Sequence, residues 1–236
     1  MVRIFIPPTE EQPNQVNPGY THIAVILDRT GSMESIRDDT IGGFNAFLNE
    51  QKQQPGKASL TLVQFDSQDP YEVIHQVKTI KEVPELTRET YVPRASTPLL
   101  DAMGRGINDL EKCLADMKED DRPVKVVFVV ITDGQENASR EFTRDQILKM
   151  INEKEKQNSW QFVFLSADLD AINDAMNQGF QPAAAMAFDK TGPGARNAWA
   201  SVSQNISNYR ASRSKGVSFS EEDRKKQKSE GKRRKK

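Results

Sequence analysis

Two runs of consecutive apolar residues each end at an acid, and they constrain the fold more than any other feature. Residues 23–27 read Ile-Ala-Val-Ile-Leu before Asp28, and residues 126–131 read Val-Val-Phe-Val-Val-Ile before Thr132 and Asp133. Apolar runs without alternation are typical of strands covered on both faces, as in parallel sheets. Both are too short to cross a membrane, so they predict two buried strands of a protein core.

The segments around these runs alternate between helical and strand patterns, which predicts a single α/β domain. We expect a doubly wound, mostly parallel sheet with one antiparallel edge strand, because 71–80 follows the preceding strand after a short connection. Thr97 is expected to cap a helix whose first residue is Pro98. The predicted helices are 33–54, 98–114, 143–158, 171–178 and 195–211, and the predicted strands are 21–28, 58–66, 71–80, 124–132, 160–166 and 184–188.

Composition divides the chain into three parts: an N-terminal arm at 1–19, a domain at 20–212 and a basic tail at 213–236. The tail holds eleven basic and four acidic residues and is almost free of apolar side chains, so we expect it to be disordered. Its terminal run, 232–236, is Lys-Arg-Arg-Lys-Lys. This run could contact nucleic acid or anionic lipid non-specifically, and the alternative is a solvated tail.

The sequence carries no secretory signal pattern and no apolar stretch of transmembrane length, so a cytoplasmic protein is expected. A single cysteine, Cys113, excludes an intrachain disulfide framework and a multi-cysteine metal site. We interpret Cys113 as a structural thiol on a helix. The two histidines, His22 and His75, are likewise interpreted as structural, because neither falls in the loops that follow the two buried runs.

Oxygen-bearing side chains gather where the predicted strands end. Asp28, Thr30 and Ser32 follow the first run, Thr97 opens a helix, and Asp133 follows the second run. In open α/β sheets, ligands bind at the carboxyl ends of the strands, so these loops are expected to meet. Hard oxygen ligands with only two acids suit Mg²⁺, with Mn²⁺ a close second, and leave a coordination place open for an external oxygen.

These residues resemble a known family. Residues 28–32, Asp-Arg-Thr-Gly-Ser, resemble the D-x-[ST]-x-S signature of von Willebrand factor type A domains. Thr97 resembles the separate threonine of that family, and Ile-Thr-Asp-Gly at 131–134 resembles its second aspartate loop. Together they resemble a complete metal-ion-dependent adhesion site. The resemblance covers about 20–212 and extends to bacterial and phage-type members of unassigned role.

The resemblance implies roles for the five residues. Asp28, Ser32 and Thr97 would contact the metal, Thr30 would take a place commonly held by serine, and Asp133 would coordinate directly or through water. Taken singly, Asp28 and Thr97 are also ordinary helix-capping residues, since such side chains satisfy free backbone donors.

Other polar residues near these loops are given lesser roles. We interpret Asp66 and Asp101 as surface or supporting acids outside the site. Arg29 and the segment 135–137, Gln-Glu-Asn, lie in the metal-site loops, where exposed side chains could select a partner.

Three function classes follow. The leading one is a protein-binding module, not an enzyme, whose metal accepts a carboxylate from a partner protein. A metal-dependent phosphatase or other hydrolase is the second, but Thr30 stands where a haloacid dehalogenase-type phosphatase generally has its second acid, and no nucleotide or hydrolase loop motif is present. The third is a nucleic-acid- or membrane-associated factor that acts through the basic tail.

Overall fold

The computed structural model describes residues 19–158, 160–177 and 179–228. Within these residues six strands form one mixed sheet in the order β3-β2-β1-β4-β5-β6. The antiparallel pair is β2 with β3, and every other neighbouring pair is parallel. The strands are β1 (Thr21–Asp28), β2 (Ala58–Phe65), β3 (Glu72–Thr79), β4 (Lys125–Thr132), β5 (Gln161–Ser166) and β6 (Ala185–Ala187). The predicted α/β architecture with an antiparallel edge strand is therefore confirmed.

Helices cover both faces of the sheet. They are α1 (Arg37–Gln53), preceded by a 3-10 helix (Gly31–Ile36), then α2 (Leu99–Ala115), α3 (Arg144–Asn158), α4 (Leu169–Asn177), α5 (Gly192–Arg210) and α6 (Glu221–Lys228). None of the helices in the described residues is long and apolar enough to cross a membrane.

The two apolar runs become the central strands β1 and β4, and they pair in parallel with Leu27 opposite Ile131. Side chains alternate across a strand, so each run feeds two cores. Val25 packs in one core with residues of α1 and α5, and Ile26 packs in the other with residues of α2 and α3. Burial on both faces explains why these runs have no polar alternation. This register also places the carboxyl ends of β1 and β4 side by side, next to Asp28.

The glycine pair inside α1 is explained by close helix packing. A Cβ atom on Gly43 would lie 2.2 Å from Cδ1 of Trp199 in α5, whereas one on Gly42 would meet nothing within 4 Å. Phe44 also packs edge-on against Trp199, with ring centroids 5.7 Å apart. Gly43 thus lets α1 and α5 approach, which offsets the low helix propensity of glycine at this position.

The prediction that Thr97 caps a helix starting at Pro98 is wrong. The helix α2 begins at Leu99, Pro98 occupies the capping position, and no side chain of that position bonds to the helix. Instead the loop after β4 supplies the caps: Leu100 N donates to Glu136 Oε2 at 2.9 Å, and Asp101 N donates to the Ser139 hydroxyl at 3.1 Å. The Thr97 hydroxyl is therefore not needed by the helix.

The prediction of disorder from residue 213 onward is wrong for 213–228. Val217 and Phe219 are buried and join the core formed with α1 and α5, and α6 follows them. Phe219 N donates to Ala183 O at 2.7 Å, and Arg224 reaches Ala185 O at 2.8 Å. These two apolar side chains and the hydrogen bonds of Phe219 and Arg224 dock the segment on the core. The arm at 1–18 and the terminal basic run lie outside the described residues.

Candidate metal centre

The structure brings the five candidate residues to one place at the carboxyl edge of the sheet. The hydroxyls of Thr30 and Ser32 lie 3.1 Å apart, and Ser32 Oγ donates to Asp133 Oδ1 at 2.5 Å. The Thr97 hydroxyl lies near that of Ser32, with Gly134 between them. A Cβ atom built on Gly134 would lie 3.8 Å from Ser32 Oγ and 4.0 Å from Thr97 Oγ1. Because residue 134 has no side chain, these two hydroxyls face a shared open space.

Asp28 is fully buried at the end of β1, and its hydrogen-bond donors among the described residues are neutral. Its Oδ1 accepts from Thr30 N at 2.7 Å, and its Oδ2 accepts from Thr132 Oγ1 at 2.5 Å. Burial raises the pKa of Asp28 to about 7, and the nearby charge of Asp133 adds to the rise, while the hydrogen bonds oppose it. A buried carboxylate with no cation beside it is costly, so a bound dication would stabilise the ionised form.

Asp133 has an incomplete set of partners. Its Oδ1 accepts from Ser32, but within the described part of the chain no hydrogen bond reaches its buried Oδ2. Lys190 Nζ lies 2.7 Å from that oxygen, so the two form an ion pair whose angles do not make a hydrogen bond. The Lys190 side chain is 40% exposed, and the Asp133 side chain is fully buried. Sequence reasoning missed Lys190, because its loop follows β6 at the far edge of the sheet.

The loop that carries Thr97 is held in place by its backbone. Thr97 N donates to Asn137 Oδ1 at 2.9 Å, and Asn137 N donates to Thr97 O at 3.1 Å. On the opposite side, Gly31 N donates to Ala95 O at 3.0 Å. These bonds tie the loop before α2 to the loops after β1 and β4, so the three parts of the site are positioned together.

Two supporting residues were missed in the sequence. Tyr91 is fully buried, and its hydroxyl donates to the Asp28 carbonyl at 2.6 Å. Thr132 holds the Asp28 carboxylate and also accepts from Gly134 N at 3.1 Å. Thr132 could have been found, because it precedes Asp133 at the end of an otherwise apolar run. Tyr91 lies in a loop with no such signal.

Arg29 does not select a partner from an exposed position, contrary to the prediction. It is 5% exposed and forms an ion pair with Asp66 at 2.7 Å and another with Glu72. Asp66, fully buried, also binds Arg94 at 2.9 Å. Of the two interpretations given for Asp66, a surface acid or a supporting acid, these contacts agree with the supporting acid.

Asp101 is also buried, and its carboxylate accepts hydrogen bonds from the backbone of the loop after β4. It accepts from the backbone N–H groups of Arg140, Glu141 and Phe142 at 2.8–3.0 Å. Of the two interpretations given for Asp101, a surface acid or a supporting acid, these contacts agree with the supporting acid.

The segment 135–137 is mostly structural. Glu136 caps α2, and Asn137 holds the backbone of Thr97. Gln135 is exposed and donates to Asp168 at 3.2 Å. Of the three residues, Gln135 has the side chain best placed to meet a partner.

The histidines and the cysteine lie away from the candidate site. His22 is buried in β1, where its Nδ1 lies 2.8 Å from the Ser59 hydroxyl, and burial lowers its pKa to about 3. His75 lies in the edge strand β3. Cys113, in α2, is free and partly buried, and burial raises the pKa of its thiol.

The donor set fits a hard divalent cation. Two buried carboxylates and three hydroxyls meet without nitrogen or sulfur ligands, as Mg²⁺ or Mn²⁺ prefers. In the described residues no group of three or more His, Cys, Asp or Glu side chains could hold a metal, so any site here depends on hydroxyls. The Lys190 ammonium lies beside Asp133 Oδ2, and a divalent cation in its place would supply more positive charge to the two buried carboxylates.

No family model and no curated protein matches the sequence. Solved structures do match. Proximal thread matrix protein 1 from the mussel byssus, with a zinc-occupied MIDAS motif, is 13% identical with a TM-score of 0.53, over 80% of this chain and 46% of that one. Manganese-loaded TRAP from Plasmodium vivax is 15% identical with a TM-score of 0.50, over 74% and 70%.

A von Willebrand factor type A protein from Catenulispora acidiphila is 8% identical with a TM-score of 0.54, over 80% of this chain and 43% of that one. The chain thus spans less than half the length of the mussel and Catenulispora chains. At these identities the likeness concerns the fold alone. The chain has a von Willebrand factor type A fold.

Proposed function

We propose that this protein is a metal-dependent protein-binding module. Asp28, Ser32 and Thr97 would hold a divalent cation, with Thr30 beside them and Asp133 bound directly or through water. Mg²⁺ is the proposed ion, and Mn²⁺ the alternative. When bound, the ion supplies a fixed positive charge with an open place for an oxygen ligand.

The observation that carries this proposal is the convergence of oxygen side chains from three loops. Ser32 contacts Asp133 across 101 residues of sequence, and the hydroxyls of Ser32 and Thr97 lie 3.8 and 4.0 Å from the place that a Cβ atom on Gly134 would take. The mussel protein with its zinc-occupied motif and the manganese-loaded Plasmodium protein support a divalent ion on this fold.

The proposed partner is a protein that supplies an Asp or Glu carboxylate. An anionic oxygen is the natural sixth ligand for a hard cation whose other ligands include neutral hydroxyls. Gln135 and Lys190 are exposed beside the site, so they would meet the residues that flank that carboxylate. Shape and charge around the ion would then select the partner.

An enzymatic role is not proposed. Hydrolysis needs a general acid or base free to exchange a proton with substrate, and both oxygens of Asp28 already accept hydrogen bonds. Thr30 contributes a hydroxyl in place of a second acid. Binding by metal coordination requires neither proton transfer nor a nucleophile.

Metal binding is tested by titrating Mn²⁺ into the full chain and measuring heat and the paramagnetic resonance signal of the free ion. We expect saturable binding to one site, abolished in Asp28→Ala. The matched control is Asp120→Ala, which removes an exposed acid. Equal Mn²⁺ affinity in native protein and Asp28→Ala would overturn the metal site.

The partner class is tested with a displayed peptide library selected in Mg²⁺ and again in chelator. Peptides that contain Asp or Glu should be enriched in Mg²⁺ only, and their binding should be lost in Asp28→Ala. Enrichment that is the same in chelator, or that lacks acidic residues, would refute carboxylate capture.

A further inference from the structure

A cavity of about 480 Å³ opens at the carboxyl ends of β5 and β6, with residues of α4 and α6 in its walls. Its apolar lining includes Leu169 and Ile172 of α4 and two small residues, Ala167 and Ala187. Leu169 is 69% exposed, and both alanines are partly exposed. Because the alanines fill little space, the cavity keeps room for a guest beside accessible apolar surface. Its volume falls within the about 300–1,000 Å³ of common ligand pockets.

The charged residues in the lining favour an apolar guest over a charged one. Arg224 of α6 donates to two backbone carbonyl oxygens, each at 2.8 Å. The Lys190 ammonium lies 2.7 Å from Asp133 Oδ2, so this cation is paired as well. Asp189 is exposed, and its charge would repel a carboxylate. An apolar group that enters the cavity gains from burial and displaces none of these contacts.

The cavity borders the candidate metal centre. Lys190 lines the cavity and also contacts the Asp133 carboxylate, so one side chain adjoins both places. The loop after β5 is joined to the end of β4 as well, because Ala167 N donates to Thr132 O at 3.2 Å. A protein that binds at the metal therefore also covers the mouth of the cavity.

We propose that the cavity receives an apolar side chain of the partner protein, two residues from the carboxylate that binds the metal. This inference rests on the proposed function. Residues two apart in an extended segment project to the same side and lie roughly 6.5 Å from each other. The Lys190 side chain, which has a similar reach, already links the two places. An acid on the ion and Leu, Ile, Met or Phe two positions away would thus occupy both, as alternate side chains do when an extended peptide is recognised.

The probe is a displayed library of short peptides with either Asp or Ala fixed at the centre and the other positions varied, selected on the full chain in Mg²⁺. Asp-centred peptides should be selected over Ala-centred ones. Among them, large apolar residues should be enriched two positions from Asp. A selected peptide should bind about tenfold more tightly than the same peptide with serine at that position, because an apolar side chain is then buried.

Leu169→Ser tests the cavity itself, and Val124→Ser is the matched control. Val124 is 71% exposed and lies just before β4, at the opposite edge of the sheet. Leu169→Ser should lose most of the apolar preference and keep the selection for Asp, whereas Val124→Ser should keep both. Since both side chains are exposed, the free energy of unfolding should change little in either variant.

The selection separates this inference from the proposed function. Selection for Asp without an apolar preference, or with a preference that Leu169→Ser leaves unchanged, overturns this inference alone. Equal selection of Asp-centred and Ala-centred peptides overturns the proposed function and this inference with it. A second copy of the chain is the competing occupant. Concentration-dependent dimerisation of the native chain that Leu169→Ser abolishes, measured by sedimentation, would assign the cavity to that copy and overturn the proposal.

Discussion

Four buried acids near the carboxyl edge of the sheet form two contrasting pairs. Asp66 faces the guanidinium groups of Arg29 and Arg94, and Asp101 accepts three backbone N–H groups of one loop. Asp28 instead accepts from neutral donors, and Asp133 accepts from Ser32 and forms an ion pair with the half-exposed Lys190. Asp66 and Asp101 are thus each held by several charged or backbone donors of the chain. Asp28 and Asp133 have less compensation for their charge, so an added divalent cation would stabilise them more.

The largest effect expected from this comparison is in Asp66→Ala. Removal of the acid leaves Arg29, whose side chain is 7% exposed, as a buried cation that retains only its ion pair with Glu72. We expect the free energy of unfolding to fall by about 3–5 kcal/mol, measured by urea denaturation. Asp120→Ala is the surface control. A loss no larger than that of the control would show that Asp66 is not structural.

The next prediction concerns Asp28→Asn and pH. The pKa of Asp28 is raised by burial to about 7 in the folded state, above its ordinary value of 3.8, so its contribution to stability is fully present below that ordinary value and is lost as pH rises through 7. In chelator, native protein should therefore lose a few kcal/mol relative to Asp28→Asn between about pH 4 and 7.

The same pair of proteins gives the counter-test. Mg²⁺ should restore the stability of native protein at pH 7 and leave Asp28→Asn unchanged, because only the carboxylate gains from the ion. Parallel stability curves for the two proteins across this pH range in chelator would refute the contrast between Asp28 and the compensated acids.

A smaller change in stability is expected when Thr97 is compared with Ser139, one of the residues that cap α2. Thr97→Ala should weaken Mg²⁺ binding with little change in unfolding free energy, since its hydroxyl does not cap α2. Ser139→Ala should do the reverse and cost about 1 kcal/mol, because it removes the acceptor for Asp101 N. Metal titration and urea denaturation of both variants decide the matter. Equal loss of stability in the two would restore Thr97 as a cap.

The smallest expected effect is in Lys190→Met. Its ammonium forms an ion pair with Asp133, so it competes with a divalent ion for that carboxylate. Removal of a half-exposed lysine should tighten Mg²⁺ binding by about threefold, measured calorimetrically. The control is Arg196→Met. Arg196 lies near the start of α5, and its exposed guanidinium forms an ion pair with Asp39 of α1. Weaker Mg²⁺ binding in Lys190→Met would show that the lysine supports the site.

The sheet could be predicted from sequence because its strongest signals are local. The runs before Asp28 and Asp133 lack polar alternation, and only strands buried on both faces need that pattern. The edge position of β3 followed from a connection of a few residues. The end of the chain was harder. Val217 and Phe219 are two isolated apolar residues in a basic segment, and their importance depends on a core built from distant elements.

Of the contacts around the candidate site, only those among neighbours in sequence could be predicted. Asp28, Thr30 and Ser32 are neighbours in sequence, so their spacing carries the signal, whereas Lys190 reaches Asp133 through the order of the strands. The role of Thr97 as a cap failed for a related reason. The residues that cap α2 are Glu136 and Ser139, about 40 residues away in sequence. They could be recognised as caps only from the structure, which places the loop after β4 beside α2.

The hydrogen bonds between the start of α2 and the loop after β4 have a consequence for engineering. The first turn of α2 donates to Glu136 and Ser139, and Asp101 in that turn accepts from the backbone at 140–142. The two segments, 97–101 and 136–142, therefore behave as one transplantable unit, although more than 30 residues separate them in the chain. A graft of the Asp133 loop into another scaffold would need the start of α2 with it, or both segments would lose the partners that give them shape.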